Sequence, residues 1–474
     1  MKDLDVWQQN LDEKQHSTEH NSLLTKIAVN IARFVLGFAL VFSGYVKAVD
    51  PLGTIYKLQD YEEAIGIAGA IPDDFLLLMA LILSTFEFCM GIFLLFAIQR
   101  RRTSLLTLLF MAVMTIISIW LVVGNPISDC GCFGDAVHLT NGQTLAKNIV
   151  LLACAVLLWR RPTGMYRFIS KTNQWIAINY ALLFAVFTSL WSLYNLPIFD
   201  FRPYHVGVNI KKDMAIPPGA PQPKFETTFI LEKNGVRKEF SLDNYPDSTW
   251  TFIDSKTVQT APGYVPPIHD FSIQDAQGND LTDELLNRKG YTFLLISPNL
   301  ASADDSNFGS IDQIYEYCQD HHVPFYGLTA SSQKDINLWE DITGAEYPFL
   351  FADATTLKTI IRSNPGLMLI KDGTIIGKWS HNFPPDLAGV DKPLEQLEIG
   401  QPHPTPLAKT IGEVLLWFFV PLLVLTVADR FWAWTKWLKR WRKEREKQLF
   451  IFSHKEKKGQ NNEKENRSRQ LENE

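Results

Sequence analysis

LLTLLFMAVMTIISIWLVVGNPISDCGCFGDAVHLTNGQTLAKNIVLLACAVLLW, residues 105–159, is the stretch that decides the fold. Two apolar runs, 105–123 and 144–159, flank a short polar segment with two cysteines one residue apart. A helix needs roughly 20 mostly apolar residues to cross the hydrocarbon core, and a bare loop cannot remain there because its backbone groups would lack partners. The pattern predicts two membrane helices joined by a surface loop that presents Cys130 and Cys132.

Four more runs of this kind, 23–45, 74–98, 175–194 and 411–427, bring the predicted count to six. Three basic segments then set the orientation. Arg100-Arg101-Arg102 follows the second run. Arg160, Arg161, Arg167 and Lys171 follow the fourth, and Lys436, Lys439, Arg440, Arg442, Lys443 and Arg445 follow the sixth. A six-helix count puts all three on one side, which the positive-inside rule makes cytoplasmic together with both termini. The loops after helices one, three and five then face outward. Phe431, Trp432, Trp434 and Trp437 fit an aromatic belt at the inner interface. The first ~20 residues are polar and lack the basic start of a cleaved signal, so the first run reads as a retained anchor. The last stretch, from about 453, is charged and polar and is expected to be disordered.

Composition agrees with a split chain. The hydrophobic fraction is 46 %, but the apolar runs are concentrated before about residue 195, and 195–406 has the composition of a soluble domain. A net charge of −6 argues against a general nucleic-acid partner, and the lipid bilayer is the partner that the runs themselves imply.

Five cysteines, Cys89, Cys130, Cys132, Cys154 and Cys318, are too scattered for a disulfide framework. Cys89 and Cys154 lie in apolar runs and read as small hydrophobes. Cys130-Gly131-Cys132 faces the oxidising side, where a pair could close a very small, strained and easily reduced ring. A redox-active pair, a static loop staple and two free thiols all fit the spacing. Zinc fits less well: His138 is near, but no fourth ligand is evident, so no metal is expected. Glu87, within the second apolar run, is costly in lipid and marks either a functional group or a neutral acid bonded to a neighbouring helix. Lys47 and Asp50 read as an interfacial pair. Residues 51–71 are too polar to span and suggest a short interfacial helix.

The run Cys130-Gly131-Cys132-Phe133-Gly134-Asp135 between two membrane helices resembles the signature loop of the methylamine utilisation protein MauE family, grouped with DoxX-like four-helix membrane proteins. Residues 37–51, Gly37 to Pro51, resemble the DoxX-type first helix, and Glu87, Gly91 and Asn148 fit the same family. The likeness covers about 23–159. It implies electron transfer or disulfide handling near the membrane, often for maturation of exported proteins. The whole chain resembles a DoxX-family protein of the Bacteroidetes type with an added outward domain.

In the soluble region, 195–223 is rich in Pro and Gly and reads as a linker. Residues 225–232 and 236–242 alternate around Asn234-Gly235, a hairpin signal, and 250–258 adds a third strand. From about 263 strands alternate with helices: strands at 268–273, 291–297, 324–328, 348–351, 366–370 and 374–379, and helices at 281–288, 306–321, 333–342 and 355–362. This order resembles a thioredoxin-like fold, with Pro365 where that fold places a cis-proline. The resemblance breaks where the fold normally carries Cys-x-x-Cys. Residues 297–304 contain no cysteine, and Cys318 lies late in the next helix. The Pro365 region then implies partner binding without thiol chemistry. His381, His403, His321 and His322 form no ligand set and read as surface side chains.

The expected class is an α-helical membrane bundle, a DoxX/MauE-like four-helix core plus two further spans, with an extracytoplasmic α/β thioredoxin-like domain. The boundaries are a tail over 1–21, the four-span bundle over 22–172, a fifth span over 173–195, linker and β subdomain over 196–262, the thioredoxin-like domain over 263–400, a sixth span over 408–430 and a basic tail over 431–474. The favoured function is thiol-disulfide or electron transfer to exported proteins through Cys130 and Cys132 from the inner membrane. A noncatalytic envelope scaffold and a small-molecule carrier using Glu87 are the alternatives. Among cofactors, a quinone is the one that a polar pocket at Glu87 could hold.

Overall fold

Six helices among the described residues are long and apolar enough to cross a membrane: Leu23–Val49, Asp73–Leu95, Arg100–Gly124, Asn141–Arg160, Gln174–Tyr194 and Leu407–Glu446. The chain is thus a multi-pass membrane protein. The computed structural model describes all residues except 1, 128, 223, 234–235, 242–245, 247–248, 262, 403–406 and 472–474. It describes backbone alone for 2–22, 224–226, 236, 241, 256–261 and 447–471. The Asn234-Gly235 turn, Ser128 and His403 lie outside the described residues. The chain divides into two compact units, 1–190 with 406–474, and 191–405.

The first unit contains α1 (Lys2–Val49), α2 (Pro51–Ala64), α3 (Asp73–Leu95), α4 (Arg100–Gly124), α5 (Asn141–Arg160), α6 (Gln174–Tyr194) and α12 (Leu407–Leu471). Asp50 ends α1 and caps α2, its carboxylate accepting from Gly53 N while Pro51 takes the first helical position. The chain therefore turns out of the first span into a short helix, as the polarity of 51–71 predicts. Thr140 and Gln143 form a reciprocal capping box that starts α5 directly after the cysteine loop. In lipid, small residues let helices approach closely. A Cβ at Gly91 would sit 2.6 Å from Val41 N, and one at Gly44 would collide with Phe88 N. These two glycines bring α1 against α3. The backbone of α12 runs as helix to Leu471.

The second unit holds two sheets. Lys224–Lys233 (β1), Val236–Ser241 (β2) and Thr251–Ala261 (β3) form an antiparallel sheet in the order β2-β1-β3, with Phe229 opposite Phe240. The other sheet has Tyr291–Ser297 (β4), Phe325–Thr329 (β5), Phe349–Phe351 (β6), Gly366–Lys371 (β7) and Thr374–Ser380 (β8), in the order β6-β5-β4-β7-β8. Strands β4, β5 and β6 run parallel, while β7 is antiparallel to β4 and β8 antiparallel to β7. Every residue of β4 is buried, as a strand covered on both faces requires. One face packs against α8 (Thr282–Asn287) and α11 (Ala354–Ile360) through Leu285, Leu286, Leu357 and Ile360. The other packs against α9 (Phe308–Asp320) and α10 (Gln333–Thr343) through Ile311, Ile314, Ile336 and Trp339.

Two expectations need correction here. Residues 268–273 form no strand: Ile268, Phe271 and Ile273 are buried as core side chains, and only Gln274 bridges to Phe351. Nor is 195–223 a plain linker. Tyr204, Val208 and Ile210 enter the core, α7 (Ile210–Met214) forms there, and Gly207 N and Ile210 N donate to Ile375 O and Gly373 O. The segment thereby occupies hydrogen-bonding groups that β8, the last strand of the sheet, would otherwise leave open.

Candidate functional site

The glycine-mediated contact of α1 with α3 sets Lys47 against Glu87. The two are 7 % and 1 % exposed, and Lys47 Nζ lies 2.7 Å from Glu87 Oε2. An ammonium has three protons. Lys47 places its three on Glu87 Oε2, Ser43 Oγ at 2.9 Å and Cys132 O at 3.0 Å. Ser43 Oγ also lies 2.7 Å from Cys132 O. Lys47 is therefore not paired with Asp50, as the sequence suggested. Spacing favoured the near acid, but helix packing delivers the acid forty positions away. Glu87 faces this ammonium, so its charge is compensated inside the bundle.

The same cluster anchors the cysteine loop through the Cys132 carbonyl. Asp129 Oδ1 accepts from Gly131 N at 2.8 Å, and Gly131 has φ +65°, a conformation that glycine adopts freely. A Cβ there would also meet Lys57 Cγ at 2.6 Å. The turn places Cys130 Sγ 2.7 Å from Cys132 Sγ. Tyr61 of α2 covers them, its hydroxyl 3.2 Å from Cys130 O and 3.5 Å from Cys130 Sγ. Burial and the neighbouring thiol raise the Tyr61 pKa, so it remains a proton donor.

The hydrogen bond from Cys132 is the main cause that lowers the Cys130 thiol to about 6. Burial opposes it, and Tyr61, Lys147 and Lys47 reinforce it. The Cys132 thiol is driven the other way by the same hydrogen bond, by burial and by the Cys130 charge. One proton is thus shared by a pair in which Cys130 takes the thiolate role. The loop was expected to be exposed, yet both cysteines are only 7 % exposed. Tyr61, Ala64, Met114 and Ile117 pack against them together with Leu121 and Ile127.

A cavity of about 20 Å³ borders Ser43, Glu87, Cys132, Lys147 and Asn148. That space suits a single water with several polar partners. It does not fit a quinone ring, so no step is assigned to one. Asn148 is tied up in the bundle, with Nδ2 donating to Ser118 Oγ at 2.6 Å. Among the described residues, no group of three or more His, Cys, Asp or Glu could hold a metal ion.

The second unit offers no thiol chemistry at its sheet. Between β4 and α9, Ser297 Oγ donates to Asn364 Oδ1 at 2.7 Å and Asn364 Nδ2 donates to Asn299 O at 2.8 Å. The Asn364–Pro365 peptide beside them is cis. Cys318 is 1 % exposed, and burial pushes its thiol up. His381 is not a surface side chain as expected. Its Nδ1 lies 2.9 Å from Ser363 Oγ and its Nε2 3.4 Å from Asp304 Oδ2. Ser363 Oγ also lies 2.6 Å from Pro365 O and accepts from His381 N. These contacts tie Ser363, His381 and Asp304 together beside the cis peptide. His321 stacks on Tyr317 at 4.1 Å, and His138 lies 3.7 Å from Asp129.

Missed by sequence reasoning were Ser43, Tyr61 and Lys147. Tyr61 and Lys147 carry no motif, and only the fold of α2 and α5 around the loop brings them to the thiols. The family model described as methylamine utilisation protein MauE matches residues 25–161. A domain of unknown function, DUF8463, matches residues 225–261, the stretch of β1 to β3. No curated protein and no solved structure matches the chain. The bundle that carries the paired thiols is MauE-like, within a multi-pass membrane protein.

Proposed function

We propose that this protein exchanges disulfides with exported proteins at the outer face of the inner membrane, through Cys130 and Cys132. The observation that carries this reading is the 2.7 Å thiol pair with the Cys130 thiol lowered to about 6. A thiolate is the attacking species in exchange. Cys130 attacks one sulfur of a partner disulfide, forming a mixed disulfide and releasing a partner thiolate. Cys132 then loses its proton to that thiolate and attacks Cys130 Sγ. A Cys130–Cys132 disulfide forms, the second partner sulfur leaves as a thiolate and takes a proton from solvent, and two electrons have passed to the partner. The reverse sequence oxidises a partner dithiol, and the relative potentials set the direction.

The one-sided basic segments support cytoplasmic termini, with the cysteine loop and the second unit outside. The sheet order β6-β5-β4-β7-β8, with helices on both faces, supports a thioredoxin-like reading of that unit. Its lack of cysteine near Ser297 supports a role in holding a partner near Pro365 without redox chemistry. The likeness to the methylamine utilisation protein MauE family supports a place in maturing a redox system.

The test is trapping in cells. Cys132→Ser leaves the attacking thiol and removes the resolving one, so a mixed disulfide with an exported protein should accumulate. Absence of such an adduct, with full complementation of a deletion by Cys130→Ser/Cys132→Ser, would sink the proposal and favour a scaffold.

A further inference from the structure

A second site lies in the bundle, and nothing in the thiol exchange uses it. A pocket of about 570 Å³ is lined by Lys26, Asn30, Arg100, Arg167 and Arg430, with the 163–167 loop as its floor. Its parts come from α1 where the first span begins, the start of α4, the α5–α6 connection and α12 just past its most apolar stretch. In a six-span chain these ends share one membrane face. Hydrogen bonds within the unit agree: Asp429 of α12 accepts from Ser170 N and from Asn173 Nδ2, and Gln99 N donates to Gln174 Oε1.

Four cations line this pocket, and among the described residues only one acid approaches any of them. Asp429 lies 3.6 Å from Arg430 and is already engaged by Ser170 and Asn173. Lys26 and Arg167 have no acidic partner among the described residues. Just beneath, Arg33 is 1 % exposed and donates to Tyr166 O, and Arg100 donates to Thr163 O and Met165 O. The Nε atoms of Arg33, Arg100 and Arg167 are buried without a hydrogen-bond partner. Guanidinium groups crowded around one pocket with a single acid near them match the oxygens of a phosphate. The rim is apolar. Tyr166 lines the pocket at 66 % exposed, beside Met165. Charged donors inside and apolar surface at the edge suit a headgroup whose acyl chains lie against the helices.

We propose that this pocket binds the headgroup phosphate of an anionic phospholipid. The lipid fastens the α5–α6 connection to α1, α4 and α12 by drawing the Lys26, Arg100, Arg167 and Arg430 side chains around one phosphate.

The experiment uses the purified full chain in nanodiscs of phosphatidylcholine, with and without phosphatidylglycerol. Native mass spectrometry after release counts the phosphatidylglycerol retained. The wild type and an Arg101→Gln/Arg102→Gln control, which loses the same charge outside the pocket, should retain it. Lys26→Gln/Arg167→Gln should bind more weakly by about fivefold for each cation removed. Lys26→Gln alone changes an exposed side chain and keeps the test valid if the double variant misfolds. Equal retention by the control and by both pocket variants would overturn the proposal. So would displacement of phosphatidylglycerol by inorganic phosphate at equal concentration, which would make this a site for a soluble anion.

Discussion

Lys47 Nζ and Glu87 Oε2 meet at 2.7 Å inside the bundle, with the Cys132 carbonyl on the same ammonium. The intramembrane acid and the cysteine loop are therefore one structure: the ion pair compensates Glu87 and holds the loop that sets the thiols. Removing one member of a buried pair strands the other, at a cost of about 3–5 kcal/mol. Lys47→Met and Glu87→Gln should each lower the unfolding temperature of the detergent-solubilised chain. The double variant Lys47→Met/Glu87→Gln should lose much less than the sum. Additive losses in that cycle would show that the two side chains are not coupled.

The thiol pair has a pH signature. With the Cys130 thiol lowered to about 6, its thiolate grows as pH rises through that value and is nearly complete at neutral pH. Iodoacetamide labelling of Cys130, read by peptide mass spectrometry, should climb through pH about 6 and level off, with Cys132 labelled far less. Cys132→Ala removes the strongest cause of the shift, so the midpoint should move upward. An unchanged midpoint would mean that the hydrogen bond between the thiols does not control Cys130.

Access and acidity separate at Tyr61. Tyr61→Phe keeps the ring over the thiols but removes the hydroxyl, so it should raise the labelling midpoint of Cys130 without uncovering it. Tyr61→Ala removes the cover as well, and labelling at a pH above both midpoints should speed up severalfold. If Tyr61→Ala labels no faster than wild type, α2 is not what limits entry.

In the second unit, Asp200 Oδ2 lies 2.6 Å from Lys378 Nζ, and Oδ1 lies 2.8 Å from Arg202 Nε. Burial alone would raise the carboxyl, but Lys378 and Arg202 overcome it and hold it well below the usual carboxylate range. Burial dominates at the other partner and pushes the Lys378 ammonium down to about 8, against the pull of Asp200. A carboxylate depressed in the fold contributes stability that is present above its unfolded value, about 3.8, and lost as pH falls below that. Asp200→Asn should flatten this acid limb in thermal melts. It should also cost about 3–5 kcal/mol near neutral pH, because both cations stay buried. An acid limb equal to wild type would remove Asp200 from the account.

Period and polarity are local properties, and they read well. Each apolar run became a helix long enough to span, residues 51–71 gave the short α2, and the strands from β4 onward fall within a residue or two of their expected places. The stretch 195–223 and residues 268–273 did not read well, because their structure is set by the open edge of β8 and the core they cover. The cysteine loop shows the division most clearly. Its residues alone marked Cys130 and Cys132 as a pair between two membrane helices. Only the tertiary structure decided that the pair is buried, that Tyr61 covers it, and that Lys47 serves Glu87 and the loop instead of Asp50. Those outcomes depend on the close approach of α1 to α3 across Gly44 and Gly91, and a helical period does not encode which neighbour a small residue will meet.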